Sequence, residues 1–301
     1  MKLYLAGTFA SNIIKGSNLY RRCTPAEQAG RDSVKHVLES YHYVHKQKFV
    51  DKIRNDGCKI FLDSGAFSAF TKGVEIDITG YCDYIKKNGD IIEIASVMDG
   101  IGDPQKTYEN QMEMERQGTR PLPCFHYGED ERYLEWYIEN YDHITLGGMV
   151  PISNKQLYFW LDRIWDKYLT DSSGKAKLKV HGFGLTVRPL MERYPWYSVD
   201  SSSWVQAAAM GNVMIPGKGI IPISSSSPAR RKLGQHIDTY TPPLREACIA
   251  EIRKRGYDFE RMQDNYLGRW TFNCQTFTEL GDIVTEGNKK MTFHTPRIEL
   301  F

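Results

Sequence analysis

Short apolar runs recur along the first 220 or so residues. Each ends on a polar residue or glycine and is followed by a stretch whose apolar positions have helical spacing. The runs are Lys2 to Ala6, Cys58 to Leu62, Ile91 to Met98, Leu122 to Phe125, His143 to Leu146, Leu178 to Val180 and Tyr197 to Val199. Most are too short to be buried helices and read as strands. Between them, Pro104 to Gln117, Glu129 to Tyr141 and Asn154 to Leu169 are each long enough for several helical turns. Thr24-Pro25-Ala26-Glu27 joins a Thr-x-x-Glu capping box to a proline at the first helical position, and Asp103-Pro104 repeats that start signal. Strands that alternate with helices predict an α/β protein.

The predicted strand ends carry the chemistry. They read Asp63-Ser64-Gly65, Asp99-Gly100, His126-Tyr127-Gly128, Gly147-Gly148, His181-Gly182 and Asp200-Ser201, at about 27 residues per step. That is close to the ~30 residues of one βα unit. In a TIM-type (β/α)8 barrel every strand's C-terminal end opens on one face, and that face holds the active site, so these six ends would converge. A doubly wound open sheet would also gather ligands at its strand C-termini. The first turn, Gly7-Thr8-Phe9, lacks GxGxxG and no GKS or GKT loop occurs, so no nucleotide cofactor is indicated.

After Asp200 the pattern changes. A small-residue helix, Val205 to Met210, leads into a Gly/Pro/Ser-rich stretch from Gly211 to Pro228 and the basic cluster Arg230-Arg231-Lys232. From Pro242 the chain predicts two helices, Pro243 to Arg255 and Phe259 to Asn273. The expected architecture is therefore α/β: a TIM-type (β/α)8 barrel over residues 1–241, with a C-terminal helical extension over 242–301 that packs on the barrel or completes it.

Composition narrows the partners. Of 301 residues, 41% are hydrophobic, 12% aromatic and 25% charged, a globular balance that rules out disorder. Thirty-nine Lys+Arg against 37 Asp+Glu leave a formal charge of +2, which excludes a highly basic nucleic-acid wrapper. No stretch reaches the ~18 apolar residues of a membrane span, and the start is too short for a signal peptide's apolar region. The expectation is a cytoplasmic protein without a membrane partner. Six scattered cysteines with no CxxC or CxC pair argue against a compact zinc cluster or a disulfide framework, and favour small buried side chains.

Asp63, Asp99 and Asp200 each end a predicted strand and precede a small residue, which lets the backbone approach a ligand closely. One carboxylate can attack a sugar carbon while another handles the leaving group's proton, as in retaining glycosyl transfer. Alternatively, Asp63 and Asp200 only cap the following helices.

These motifs together resemble a family. Leu62-Asp63-Ser64-Gly65-Ala66-Phe67 is similar to the Asp-Ser-Gly-Gly-Phe motif of tRNA-guanine transglycosylases, with Ala66 in place of the second glycine. Met98-Asp99 followed by Gly102-Asp103 resembles their base-recognition aspartate segment, and Leu146-Gly147-Gly148-Met149 their Leu-Gly-Gly-Leu. His181-Gly182-Phe183-Gly184 falls at their glycine-rich strand end, and Ser198-Val199-Asp200-Ser201 at their nucleophile. The likeness covers roughly residues 60 to 205. The zinc run Cys-x-Cys-x-x-Cys and the Leu-Pro-Thr-Arg loop of the tRNA enzymes are missing. With Tyr194 to Trp204, the chain most resembles the compact DNA-guanine transglycosylases of bacteriophages, the DpdA type.

What the resemblance implies is exchange of guanine in DNA for a 7-deazaguanine base, such as 7-cyano-7-deazaguanine or a derivative, which shields phage DNA from restriction nucleases in the host cytoplasm. Asp200 would attack C1′, and Asp63 would act as general base on the incoming base or as an orienting group. Asp99 would accept from guanine N1-H and its amine, and Gly147, Gly148 and Met149 would offer backbone N-H to O6. Ser64 belongs to the same base-binding set. His126 stands where the tRNA enzymes carry a Gln that touches the base, or is structural; His181 lines the pocket or bonds a neighbouring loop. Asp103 is a second pocket carboxylate or, with Pro104 behind it, a helix N-cap. Base flipping costs a few kcal/mol and requires a grip on the backbone, for which Lys218, Arg230, Arg231 and Lys232 are the candidates, with Arg21 and Arg22 second. No ATP or redox cofactor is required. Cys248, Cys274 and His294 are the remaining candidates for a residual zinc site. The competing readings are a tRNA-directed enzyme without its zinc segment, a non-catalytic nucleic-acid-binding barrel, and an unrelated glycoside hydrolase barrel.

Overall fold

The computed structural model describes residues 1–9, 13–185, 187–289 and 291–293. Eight parallel strands form one curled sheet: β1 (Lys2–Ala6), β2 (Val37–Ser40), β3 (Ile60–Asp63), β4 (Ile92–Ala95), β5 (Cys124–His126), β6 (His143–Gly147), β7 (Lys179–Gly182) and β8 (Ser198–Ser201). The order across the sheet is β4-β3-β2-β1-β8-β7-β6-β5, and helices separate all consecutive strands. The architecture is α/β and TIM-like.

The sheet is not closed by a ladder. Among the described residues its end strands meet only through a single parallel bridge, Ser96 to Leu122, in which Val97 N-H donates to Leu122 O and Leu122 N-H to Ala95 O. The reason lies in Pro121-Leu122-Pro123: both flanking residues lack an N-H, so of these three Leu122 alone can donate across the seam. The expected closed barrel is thus corrected to one that is open at this seam.

β2 escaped the sequence pattern because Glu39 interrupts its apolar run. In the fold Glu39 is buried, and its carboxylate accepts the Phe9 N-H at 2.5 Å. The Gly-rich stretch after Asp200, expected to be an elaborated loop, holds an antiparallel hairpin of β9 (Asn212–Ile215) and β10 (Gly219–Pro222). The expected helix Phe259 to Asn273 is two helices, Phe259–Asp264 and Tyr266–Asn288. They are parted at Asn265, which is extended and caps the second through its side chain. The Thr24 capping box is present, and Asp103 caps the helix Pro104–Arg116 by accepting from Lys106 N-H.

Period-two alternation places the site. Leu3, Leu5, Ile60, Leu62, Ile144, Leu146, Val180 and Val199 pack outward among the helices. Tyr4, Leu38 and Phe61 form a separate apolar cluster, against which Ile94, Leu122 and Phe183 pack. Residues in phase with this inner set include Asp63, Cys124, His126, Gly147, His181 and Asp200. The long helix Tyr266–Asn288 packs on β1, with Gly281 against Leu3, where an added Cβ would lie 2.9 Å from that of Leu3. The β9-β10 hairpin shares its apolar cluster with the C-terminal helices through Val213, Ile215, Ile221, Ile252 and Phe272. Among the described residues, no helix is long and apolar enough to cross a membrane.

Candidate functional site

The C-terminal strand ends enclose a cavity of about 640 Å³, lined by Asp63, Asp99, His126, Gly147, Gly148, Met149 and Asp200 among others. Seven of the nine residues expected to act on the base or sugar thus share it, all but Ser64 and His181. Two turns shape its rim. Gly65 has φ +76°, and a Cβ there would lie 2.3 Å from Ser40 Oγ and 2.6 Å from His42 Cβ, so only glycine fits. Gly184, at φ +64°, turns its N-H onto Asp200 Oδ1 at 2.8 Å.

The three carboxylates are held differently. Asp200 is buried, and the same Oδ1 lies 3.4 Å from His181 Nε2. Asp63 Oδ2 accepts the Gly65 N-H at 2.9 Å, and Ser96 Oγ stands 3.5 Å from Oδ1 as a donor. Burial, then the charges of Asp99 and Asp200, push the Asp63 carboxyl up to about 7 against the pull of those hydrogen bonds. Asp99 Oδ2 is 3.5 Å from His126 Nε2, whereas its buried Oδ1 has no hydrogen-bond partner.

No family model and no curated protein matches this chain. What the cavity can do therefore follows from its own groups. A carboxyl that titrates near neutrality can give and take a proton at working pH, and a second carboxylate beside it can form a bond to carbon.

Ser64 and His181 do not line the cavity. Ser64 is fully buried; its hydroxyl accepts from Ala66 N-H at 3.3 Å and shapes the turn behind Asp63. His181 is also fully buried, enclosed by the rings of Tyr4, Phe61 and Phe183, with Nδ1 2.8 Å from Ser198 Oγ. Its Nε2 lies 3.4 Å from Asp200 Oδ1 without a hydrogen bond between them. Lys218 sits in the exposed hairpin turn, and none of the four expected backbone-gripping residues lines the carboxylate cavity. Arg230 and Arg231 instead line a separate cleft with Ser225, Ser226, Ser227 and Asp238. There Arg230 is engaged by the Ser225 carbonyl at 3.2 Å and Asp238 at 3.4 Å, and Lys232 is exposed. Cys248 and Cys274 pack in different apolar clusters, and His294 lies outside the described residues.

Sequence reasoning missed Cys124 and Glu129. Glu129 accepts from the His126 backbone N-H at 2.8 Å and stands 2.9 Å from its Nδ1. Cys124 Sγ lies 3.4 Å from His126 Nε2. Burial disfavours the His126 cation, but Cys124 and Asp99 outweigh it and hold its pKa well above the usual value. Burial also lifts the Cys124 thiol to about 11. The signal was available as Cys-x-His-x-x-Glu, read across the end of β5. Also missed was an apolar rim: Phe67 and Val150 line the cavity at 63% and 65% exposure, with Phe70 exposed on the same helix as Phe67.

Proposed function

We propose that this chain exchanges guanine in DNA for a 7-deazaguanine base through a covalent aspartyl-glycosyl intermediate. The observation that carries the reading is the convergence of Asp63, Asp99 and Asp200, from three separate strand ends, on one cavity beside Gly147, Gly148 and Met149.

In the first half-reaction an Asp200 carboxylate oxygen attacks C1′ of the deoxynucleotide. The C1′–N9 bond breaks, and guanine leaves with a proton from the Asp63 carboxyl. In the second, N9 of the incoming base attacks C1′, its proton passes to Asp63, and the ester bond to Asp200 breaks to restore the carboxylate. An Asp63 pKa near 7 suits both directions. The Gly184 N-H holds the Asp200 oxygen in place, and His181 Nε2 stands 3.4 Å behind it. No bond order or oxidation state changes overall, so the exchange needs no energy source.

Asp99 Oδ1, buried and unpartnered, is the acceptor for guanine N1-H or its amine. Adenine offers no donor at N1 and would leave that oxygen unpaired, a penalty of ~1 to 3 kcal/mol. Phe67 and Phe70 supply faces on which a flipped base or its neighbours can stack. Arg231 and Lys232, with Arg230 and Lys218, are the proposed contacts to phosphate, and protection of phage DNA from restriction is the proposed role.

The test is incubation with labelled guanine or 7-cyano-7-deazaguanine and either DNA or RNA, followed by nucleoside mass spectrometry. Label is expected in DNA. Label in RNA alone would transfer the reading to a tRNA-directed enzyme, and label in neither would remove the exchange activity.

A further inference from the structure

Beside the two reacting carboxylates lies a second set of groups, of which the proposed exchange uses only Asp99 Oδ1. Among the described residues, Asp99, Cys124 and His126 are the only group of three His, Cys, Asp or Glu residues whose ligand atoms all lie within 4.8 Å of one another. The three arise from β5 and the loop after β4, on the two sides of the open seam.

We propose that Asp99, Cys124 and His126 bind one divalent transition-metal ion of the zinc class, with a fourth coordination position open to the cavity. Three observations support this. First, the spacing fits. Tetrahedral zinc with bonds of about 2.3 Å to sulfur, 2.05 Å to nitrogen and 2.1 Å to oxygen separates S from N by about 3.6 Å and N from O by about 3.4 Å. The structure has Sγ to Nε2 at 3.4 Å and Nε2 to Asp99 Oδ2 at 3.5 Å.

Second, His126 is oriented as a ligand. Its Nδ1 faces the Glu129 carboxylate at 2.9 Å, which turns Nε2 toward Cys124 and Asp99. A carboxylate on the far ring nitrogen is the usual partner of a metal-binding histidine. Third, room is kept beside the donors. A Cβ on Gly147 would lie 2.9 Å from Cys124 Sγ, 2.8 Å from His126 Cδ2 and 3.2 Å from Nε2. Gly147 lines the cavity, so the space its missing side chain leaves joins the donors to the pocket.

The donor set selects the ion. A thiolate and an imidazole with a single carboxylate suit zinc, cobalt or copper, and not magnesium or calcium, which require oxygen ligands. Binding would release the thiol proton and any imidazolium proton. The proposal is independent of base exchange, because metal uptake is read without nucleic acid or base.

The test uses the full chain, stripped with a chelator and titrated with cobalt(II). One equivalent is expected, with a thiolate-to-cobalt charge-transfer band that one equivalent of zinc abolishes. Cys124→Ser should remove the band, Glu129→Gln should weaken binding about 10- to 100-fold, and Cys248→Ser should change neither. Circular dichroism checks that each variant folds. A wild-type chain that binds no stoichiometric cobalt, or binds it without the thiolate band, overturns the site whatever the variants do. So does a band that survives Cys124→Ser.

Discussion

The two walls of the cavity are built on opposite principles. At β3 and β8, Asp63 and Asp200 accept backbone N-H groups from left-handed glycines, Gly65 and Gly184, and the Ser96 hydroxyl donates to Asp63. Around β5 and the end of β6, Asp99, Cys124 and His126 face one another with few bonds to spare, and Asp99 Oδ1 is left without a partner. Polar groups satisfied in advance define a rigid reaction centre, whereas buried groups left unsatisfied wait for a ligand. On the proposed function, the first wall makes bonds and the second recognises the base.

The sharpest way to break that division is Asp200→Asn. Loss of the nucleophile should reduce exchange by about 10⁴-fold or more while equilibrium binding of the free base stays within a few-fold, as dialysis would show. Comparable loss of both would merge the two walls into one binding site. Asp63→Asn should slow exchange by roughly 10² to 10⁴ and also stabilise the fold at pH 8. The Asp63 pKa of about 7 in the fold lies above the ~3.9 of an unfolded chain, so between these values the fold retains a proton that the unfolded chain has lost. Stability therefore falls as pH rises from about 4 to 7 and stays lower beyond. A shift of that size corresponds to at most about 4 kcal/mol; Asp63 retains some exposure, so roughly 2 kcal/mol is expected, read as a higher Tm for the variant at pH 8 and an equal one at pH 3.

On the second wall, Asp99→Asn should lower kcat/KM for guanine by about 10²-fold and relax discrimination against adenine, measured by competition between the two bases. The smallest effect belongs to Ser198→Ala, which leaves His181 Nδ1 without its 2.8 Å partner. A fall in kcat of about 3- to 10-fold with KM unchanged would mark a positioning role, and no change would make His181 plain packing.

Much of this was legible from residue order. The strand ends identified the carboxylates because a parallel sheet must bring its C-terminal ends to one face, and Asp103 before Pro104 declared itself a helix cap. What escaped depended on tertiary context. Glu39 hid β2, since a buried carboxylate bound to a distant N-H looks in sequence like a solvated one. Pro121 and Pro123 opened the seam although the βα rhythm continued through it. Ser64 and His181 share the motifs of pocket residues but lie behind the pocket, because a turn and the pleat direct them inward. Cys124 and Glu129 were marked only by the short Cys-x-His-x-x-Glu pattern, whose meaning depends on the fold setting Cys124 Sγ beside His126 Nε2.

The most direct measurement is of the covalent intermediate itself. Incubated with a guanine-containing DNA duplex and no incoming base, then denatured, the wild-type chain should carry a DNA adduct that peptide mass spectrometry maps to Asp200. Asp200→Asn should carry none, and later addition of 7-cyano-7-deazaguanine should discharge the wild-type adduct. An adduct mapped to another residue, or base exchange that proceeds unchanged in Asp200→Asn, would contradict the account.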